Sequence, residues 1–186
     1  MSTTRPSPAR SPQQPGLRVN VTTDEQLMLE FQRGSRDAFT ELFGRYRERI
    51  YGFFRRRLNH AARAEELAQE TFLAVLRAVE RYEPRALFRT WLYGIAMNLL
   101  MAERRKAGRE ELQSEAADPP VTENPDAALA VRQAVERLDA DDREVLLLRE
   151  YEELSYAEIA ELLCVPVGTV RSRLFRARMA LKVMLI

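Results

Sequence analysis

Between positions 169 and 178 the chain carries Thr169, Arg171, Ser172, Arg173, Phe175, Arg176 and Arg178: four guanidinium groups within eight residues, with two hydroxyls and an aromatic ring among them. Such groups make and break no covalent bonds by themselves; their chemistry is recognition. Arginine forks match the paired acceptors of guanine edges and phosphates, hydroxyls serve either, and a ring edge can meet a thymine methyl. At about 100° per residue, Val170, Leu174, Ala177 and Leu181 fall in a sector about 60° wide, the width of a buried stripe. Thr169, Ser172 and Arg176 lie near the centre of the opposite side, flanked by Arg173 and Phe175, with Arg171 and Arg178 nearer the apolar edge.

The elements that position this face can be read just upstream. Ser155 followed by Glu158 is a capping box, and Ile159, Ala160, Leu162 and Leu163 give a short helix one apolar side. That helix is expected to stop near Cys164. Val165 and Pro166 then make a tight turn, since proline fixes its own φ, lacks an N–H and suits the start of the next helix. Two short helices joined in this way, the second presenting arginine and hydroxyl groups, fit the major groove of DNA. A solvated basic face on a helical hairpin is the plainer alternative. The capping box, the proline turn, the small Ala160 and Gly168 and the density of arginine together favour DNA.

Composition narrows the classes. The few glycines and the absence of strand-like alternation predict an all-α chain. A net charge of +1 conceals an uneven distribution: residues 24–107 carry +4, 108–127 carry −5, 128–161 carry −6 and 162–186 carry +5. Cys164 is the only cysteine and His60 the only histidine, so neither a disulfide framework nor a Cys/His metal site can be built. No nucleophile–base pair or phosphate loop is visible, and no catalytic residue, metal, cofactor or small-molecule substrate is expected. With no apolar run of membrane-spanning length and no signal-peptide core, the protein is expected to be soluble and cytoplasmic.

Taken in order, residues 1–22 are rich in Pro, Ser, Gln and Arg and predict a disordered tail. A helix follows from Thr23 to Gly34, with Leu27, Met28 and Phe31 as its apolar face. A second runs from Arg36 to Leu58 on Phe39, Leu42, Phe43, Tyr46, Ile50, Tyr51 and Phe54, and the cluster Arg55 to Arg57 closes it. A third spans Ala61 to Tyr82, with Leu67, Phe72, Leu73, Leu76 and Val79 inward and Glu65, Glu66, Gln69 and Glu70 outward. Pro84 breaks the chain before a fourth helix beginning at Phe88, which offers Trp91, Leu92, Ile95, Leu99 and Leu100 for packing and ends in Arg104, Arg105 and Lys106. Arg89, Tyr93 and Asn98 are the polar groups of that helix most able to reach outward. Residues 108–127, acidic and proline-bearing, predict an extended linker, after which helical periodicity resumes at Leu129, Val131, Val135 and Leu138 and again at Val145 to Leu148.

From about Asp24 to Met184 the chain resembles the extracytoplasmic-function sigma factors of the sigma-70 family. The resemblance is carried by AEELAQETFLAVLRA (64–78), FRTWLYGIAMNLL (88–100), LSYAEIAELL (154–163) and VPVGTVRSRLFRAR (165–178). It implies two small helical domains: region 2 over 23–107, and region 4 with its helix-turn-helix over 128–186. It also implies binding to core RNA polymerase through the β′ clamp helices and the β flap, recognition and opening of promoter DNA, and an anti-sigma partner that could hold the protein at the membrane.

By the same resemblance Glu66, Gln69, Glu70 and Phe72 dock on the polymerase, and Arg89, Trp91, Tyr93, Asn98, Arg104 and Arg105 serve the minus-ten element. Asn98 is first among the candidates for capturing an unpaired base. Arg171, Ser172, Phe175 and Arg176 read the minus-thirty-five element, while Thr169, Arg173 and Arg178 hold phosphates. One departure from the family pattern is Cys164, which stands where a turn glycine is usual. The runner-up function is a free-standing repressor or activator. It would need a dimerisation surface and a sensing domain, and residues 24–107 look like neither.

Overall fold

The computed structural model describes residues 22–110 and 126–185. The predicted tail and most of the predicted linker lie outside the described residues. The described chain is helical: α1 (Asp24–Gln32), α2 (Arg36–Arg55), α3 (Ala61–Ala78), a 3₁₀ turn (Val79–Arg81), α4 (Phe88–Glu110), α5 (Asp126–Glu136), α6 (Ala140–Glu150), α7 (Tyr156–Leu163) and α8 (Val167–Leu185).

Local chemistry sets most of the helix ends. Thr23 Oγ1 accepts from Gln26 N at 3.2 Å while Gln26 Oε1 accepts from Thr23 N at 3.0 Å, so α1 opens on a capping box. It closes on a left-handed residue, Gly34 at φ 102°, with Ser35 N donating to Glu30 O and Gly34 N to Phe31 O. The third helix is shorter than expected, giving way to the 3₁₀ turn at Val79 instead of running to Tyr82. Gln32 of α1 explains the stop, because its side-chain amide donates to the carbonyls of Val79, Glu80 and Tyr82 and so satisfies groups that a helix end leaves open.

The buried face of α3 also differs from the expectation. Ala64, Leu67, Ala68, Thr71, Phe72 and Val75 face inward, while Leu73 and Leu76 are 46% and 39% exposed. Small residues occupy the seam and let α3 lie close to its neighbours; the larger leucines are left outside. Phe53, Phe54, Ile50, Leu67, Phe88, Leu92 and Leu100 fill the centre of this first half.

In the second half, Ser155 caps α7 as expected: Ser155 Oγ accepts from Glu158 N at 3.3 Å and Glu158 Oε2 accepts from Ser155 N at 2.9 Å. The turn that follows uses the same hydrogen bonds as the end of α1, with Val165 N donating to Ala160 O and Cys164 N to Glu161 O. Here the left-handed position is held by Cys164 at φ 53°, ψ 42°. Val170, Leu174 and Ala177 of α8 are buried against α5, α6 and α7, and Leu181 is half-buried.

The two halves are not separate in space. Their buried side chains form one continuous cluster, and α7 lies against α4. A packed pair of halves was not anticipated from the sequence, and it decides how much of the functional surface is open.

Candidate nucleic-acid interface

The outer side of α8 is presented to solvent as expected. Phe175 is 66% exposed, Arg171, Ser172, Arg176 and Arg178 are exposed, and Thr169 and Arg173 are half-buried. Three of the four arginines are braced by carboxylates of α6. Arg176 Nε and Nη2 donate to the two oxygens of Asp142 at 3.0 and 2.6 Å, Arg178 Nη2 donates to Glu150 at 2.7 Å, and Arg173 pairs with Asp141. Asp142 is buried, so its fork fixes the Arg176 guanidinium from behind and leaves Nη1 outside the Asp142 fork. These acidic partners were missed in the sequence, where Asp141, Asp142 and Glu150 entered only the net charge of −6 over residues 128–161.

The face of α4 is different. Asn98, Arg104 and Arg105 are exposed, and Trp91 is half-buried, edge-on to Tyr82 with ring centroids 5.1 Å apart. Tyr93, expected to point outward, is buried at 1% exposure, its hydroxyl donating to Glu152 Oε2 at 3.1 Å. The second half covers it. Burial and the adjacent carboxylate both push the Tyr93 phenol well above its ordinary value, so it remains a donor.

Arg89 is likewise engaged: its Nε and Nη2 each donate to a different oxygen of Glu158 at 2.6 Å, and Thr90 Oγ1 donates to the same carboxylate at 3.0 Å. Burial works against ionisation of Glu158, yet the hydrogen bonds from Arg89, Ser155 and Thr90 prevail and hold its carboxyl down at about 2.

At the head of α4 an open cleft is lined by Thr22, Thr23, Asp24, Glu25, Arg45, Leu87 and Arg89. Of the six minus-ten candidates only Arg89 lines it. Asn98 lies about 14 Å further along the helix at ~1.5 Å per residue, so the structure does not bring these two together. Glu25 also accepts from the backbone N–H of Phe88 at 2.9 Å and so caps the start of α4.

On the far side of the first half, Glu66 and Gln69 are exposed and Glu70 half-buried. Arg63 stands among them, 2.7 Å from Glu66 and 3.5 Å from Glu70, while its fork reaches Glu103 of α4 at 2.8 and 2.7 Å. Phe72 is buried at 7% exposure, in edge contact with Phe43, so it supports this face from beneath instead of lining it. The apolar groups that reach the surface here are Leu73, Leu76 and Phe43. Their large size in a face expected to be inward gave no sign of exposure in the sequence.

A short capped helix followed by a solvent-facing helix rich in arginine defines a DNA-binding helix-turn-helix domain, here joined to a second helical domain with its own basic face. Residues 42–110 match the family described as Sigma-70 region 2, and residues 128–181 match Sigma-70, region 4. The chain is 37% identical over 176 residues to the RNA polymerase sigma-H factor of Pseudomonas aeruginosa, covering 85% of this chain and 91% of that protein. It is 33% identical over 171 residues to the ECF RNA polymerase sigma factor SigW of Bacillus subtilis, covering 82% and 91%.

Among solved structures it resembles CnrH in complex with the cytosolic domain of CnrY, with a TM-score of 0.68, 27% identity and coverage of 87% of this chain and 96% of that one. A similar likeness, with a TM-score of 0.68, 25% identity and coverage of 79% and 96%, holds for the sigma factor RpoE of Bartonella quintana in complex with the anti-sigma factor NepR. The chain belongs to the extracytoplasmic-function sigma factors of the sigma-70 family.

Proposed function

We propose that this sigma factor binds core RNA polymerase and promoter DNA with a division of labour between its halves, and that the packed arrangement is its held form. Residues 23–107 act as the region 2 domain and dock on the β′ clamp helices through Glu66, Gln69 and Glu70 with the apolar Leu73, Leu76 and Phe43 beside them. Residues 128–186 act as the region 4 domain, meeting the β flap and reading the minus-thirty-five element. In this domain Arg171, Ser172, Phe175 and Arg176 face bases, and Thr169, Arg173 and Arg178 face phosphates. The minus-ten element falls to α4 and the cleft at its head. Asn98 and Arg105 are open to it already; Arg89, Tyr93 and Arg104, which lies 3.7 Å from Glu144, become available when the halves part. Residues 108–127 link the two.

The observation that carries this reading is the contrast between the two basic faces: α8 is exposed, while Arg89 and Tyr93 of α4 are occupied by Glu158 and Glu152. Two promoter elements about 25 base pairs apart are separated by roughly 85 Å at ~3.4 Å per pair. A compact body of about 150 residues has a radius of gyration of about 15 Å and is roughly 40 Å across. The closed protein cannot span both elements, so opening belongs to its cycle. Two of its structural relatives were solved with a second protein bound, CnrY and the anti-sigma factor NepR. An anti-sigma partner that stabilises the closed arrangement, in the cytoplasm or at the membrane face, fits this geometry.

Transcription with purified core polymerase is the test. Added protein should redirect initiation to a cognate promoter, and Glu70→Lys should weaken core binding while leaving affinity for an upstream-element duplex intact. Failure of the wild-type chain to bind core or redirect initiation would reject the reading.

A further inference from the structure

The arginines at the end of α2 have no role in the division of labour above. They nevertheless share a face with α4. Arg49 and Arg56 are seven residues apart, which places them on one side of a helix and about 10 Å apart. Arg57 lies beside Arg56, and Arg89 and Arg104 continue the row on α4. Each meets a carboxylate of the second half. Arg49 lies 3.4 Å from Glu153 and Arg56 2.9 Å from Glu152. Arg57 is 2.8 Å from Glu144 and 3.3 Å from Glu152, Arg89 is 2.6 Å from Glu158, and Arg104 is 3.7 Å from Glu144. Glu152 is fully buried, and the Arg57 side chain is 1% exposed.

The geometry points to Arg49, Arg56 and Arg57 forming, with Arg89 and Arg104, a binding site for the sugar–phosphate backbone of promoter DNA, which Glu144, Glu152, Glu153 and Glu158 occupy in the closed protein in place of phosphates. This site presupposes the downstream role proposed for α4.

Three observations support it beyond charge. The row is wholly arginine, whose forks suit paired oxygens on phosphate as on carboxylate. The carboxylates satisfy it incompletely: Arg57 Nη2 and Arg56 Nε are buried without a hydrogen-bond partner among the described residues. Buried donors are rarely left so, and such exceptions call for an explanation. A backbone bearing one charge and two free oxygens per nucleotide offers further acceptors.

The chemistry of the cover is the third. Over this row the cover is ionic, although apolar side chains join the halves elsewhere, so at the row opening exchanges one anion for another and leaves the released carboxylates hydrated. Charge across the halves agrees, with +4 over residues 24–107 facing −6 over 128–161. The second half thus carries a basic helix on its outer side and a phosphate-like acidic face on its inner side.

A purely structural clasp would show the same ion pairs, and the full-length chain can distinguish the two. Glu144, Glu152 and Glu158 are changed together to Gln, which keeps size and hydrogen-bonding capacity. The radius of gyration is measured by small-angle scattering, and binding of a labelled single-stranded oligonucleotide of about 20 nucleotides lacking any upstream element is followed by anisotropy across a salt series.

The triple variant should expand and bind the strand at least ten-fold more tightly. Its slope of log K against log salt should be steeper by about 2, corresponding to about three more neutralised phosphates. Adding Arg56→Gln and Arg57→Gln should remove that gain while the expansion remains. Expansion with unchanged affinity, an unchanged radius, or a gain that survives loss of both arginines would overturn the site, as would capture of polyglutamate in preference to the strand. Core-polymerase binding by the wild-type chain reports separately on the function proposed above: its absence, with the triple variant still gaining strand binding, rejects that function and not this site.

Discussion

Replacing Glu158 offers the sharpest probe of how the halves hold together. Its carboxylate accepts both N–H groups of the Arg89 fork at 2.6 Å, the Thr90 hydroxyl at 3.0 Å and the backbone N–H of Ser155 at 2.9 Å. Glu158→Ala removes two different things. Loss of the capping contact should cost about 1 kcal/mol, within the range for helix N-terminal contacts. Loss of a buried ion-pair partner costs about 3–5 kcal/mol in full burial. The Arg89 side chain is 34% exposed and can rehydrate, so about 2–3 kcal/mol is the appropriate share here.

The total for Glu158→Ala is then about 3–4 kcal/mol, and for Arg89→Ala about 2–3 kcal/mol. The double variant should be destabilised by about 2 kcal/mol less than the sum of the singles, since the shared interaction can be lost only once. Urea unfolding followed by far-ultraviolet circular dichroism reports all helices. Emission of Trp91, the only tryptophan, reports the first half alone. In the wild type the two signals should coincide; in Glu158→Ala they should begin to separate. A coupling below about 0.5 kcal/mol, the ordinary scatter of additivity, would show that Arg89 and Glu158 do not hold the halves in solution.

Other consequences can be checked independently. Arg176→Ala should cost about 1–3 kcal/mol at the upstream element and relax its sequence preference. Asp142→Asn, which keeps the Arg176 charge but weakens its brace, should reduce discrimination between matched and mismatched duplexes in competition gel shifts, and undiminished discrimination would remove Asp142 from recognition. Because Glu158 titrates at about 2 when folded against an ordinary 4.5, its contribution is full above pH 4.5 and is lost as pH falls towards 2. Glu103, lowered by its hydrogen bond to Arg63, adds to the loss in the same direction. Urea midpoints should fall over that window, and Glu158→Gln should flatten the fall. Cys164→Gly should stabilise by about 0.5–1 kcal/mol, seen as a higher thermal midpoint, because an exposed non-glycine residue at φ 53° carries strain that glycine lacks.

What the amino-acid sequence determined by itself is whatever depends on neighbours a few residues apart. The capping box at Ser155 and Glu158, the break at Pro84 and the buried stripe of Val170, Leu174 and Ala177 follow from hydrogen bonds and periodicities confined to one or two turns. The stop near Cys164 and the turn at Val165 and Pro166 were legible in the same way; the left-handed conformation of Cys164 came only from the structure. The solvent-facing side of α8 was therefore readable, with Thr169 and Arg173 half-buried at its edges.

Only the tertiary structure decided what covers what. Tyr93 and Glu152 are 59 residues apart, Arg89 and Glu158 are 69, and Arg56 and Glu152 are 96. No local period connects such pairs. Helical spacing says which side chains share a face, but whether that face meets solvent, a partner or the chain's own second half depends on the sum of weak contacts across the molecule. The same limit applies to α3, where Leu73 and Leu76 qualified as core by size and spacing and lost that place to Ala64, Ala68 and Thr71. Close packing rewards fit between surfaces, and fit is a property of two elements together.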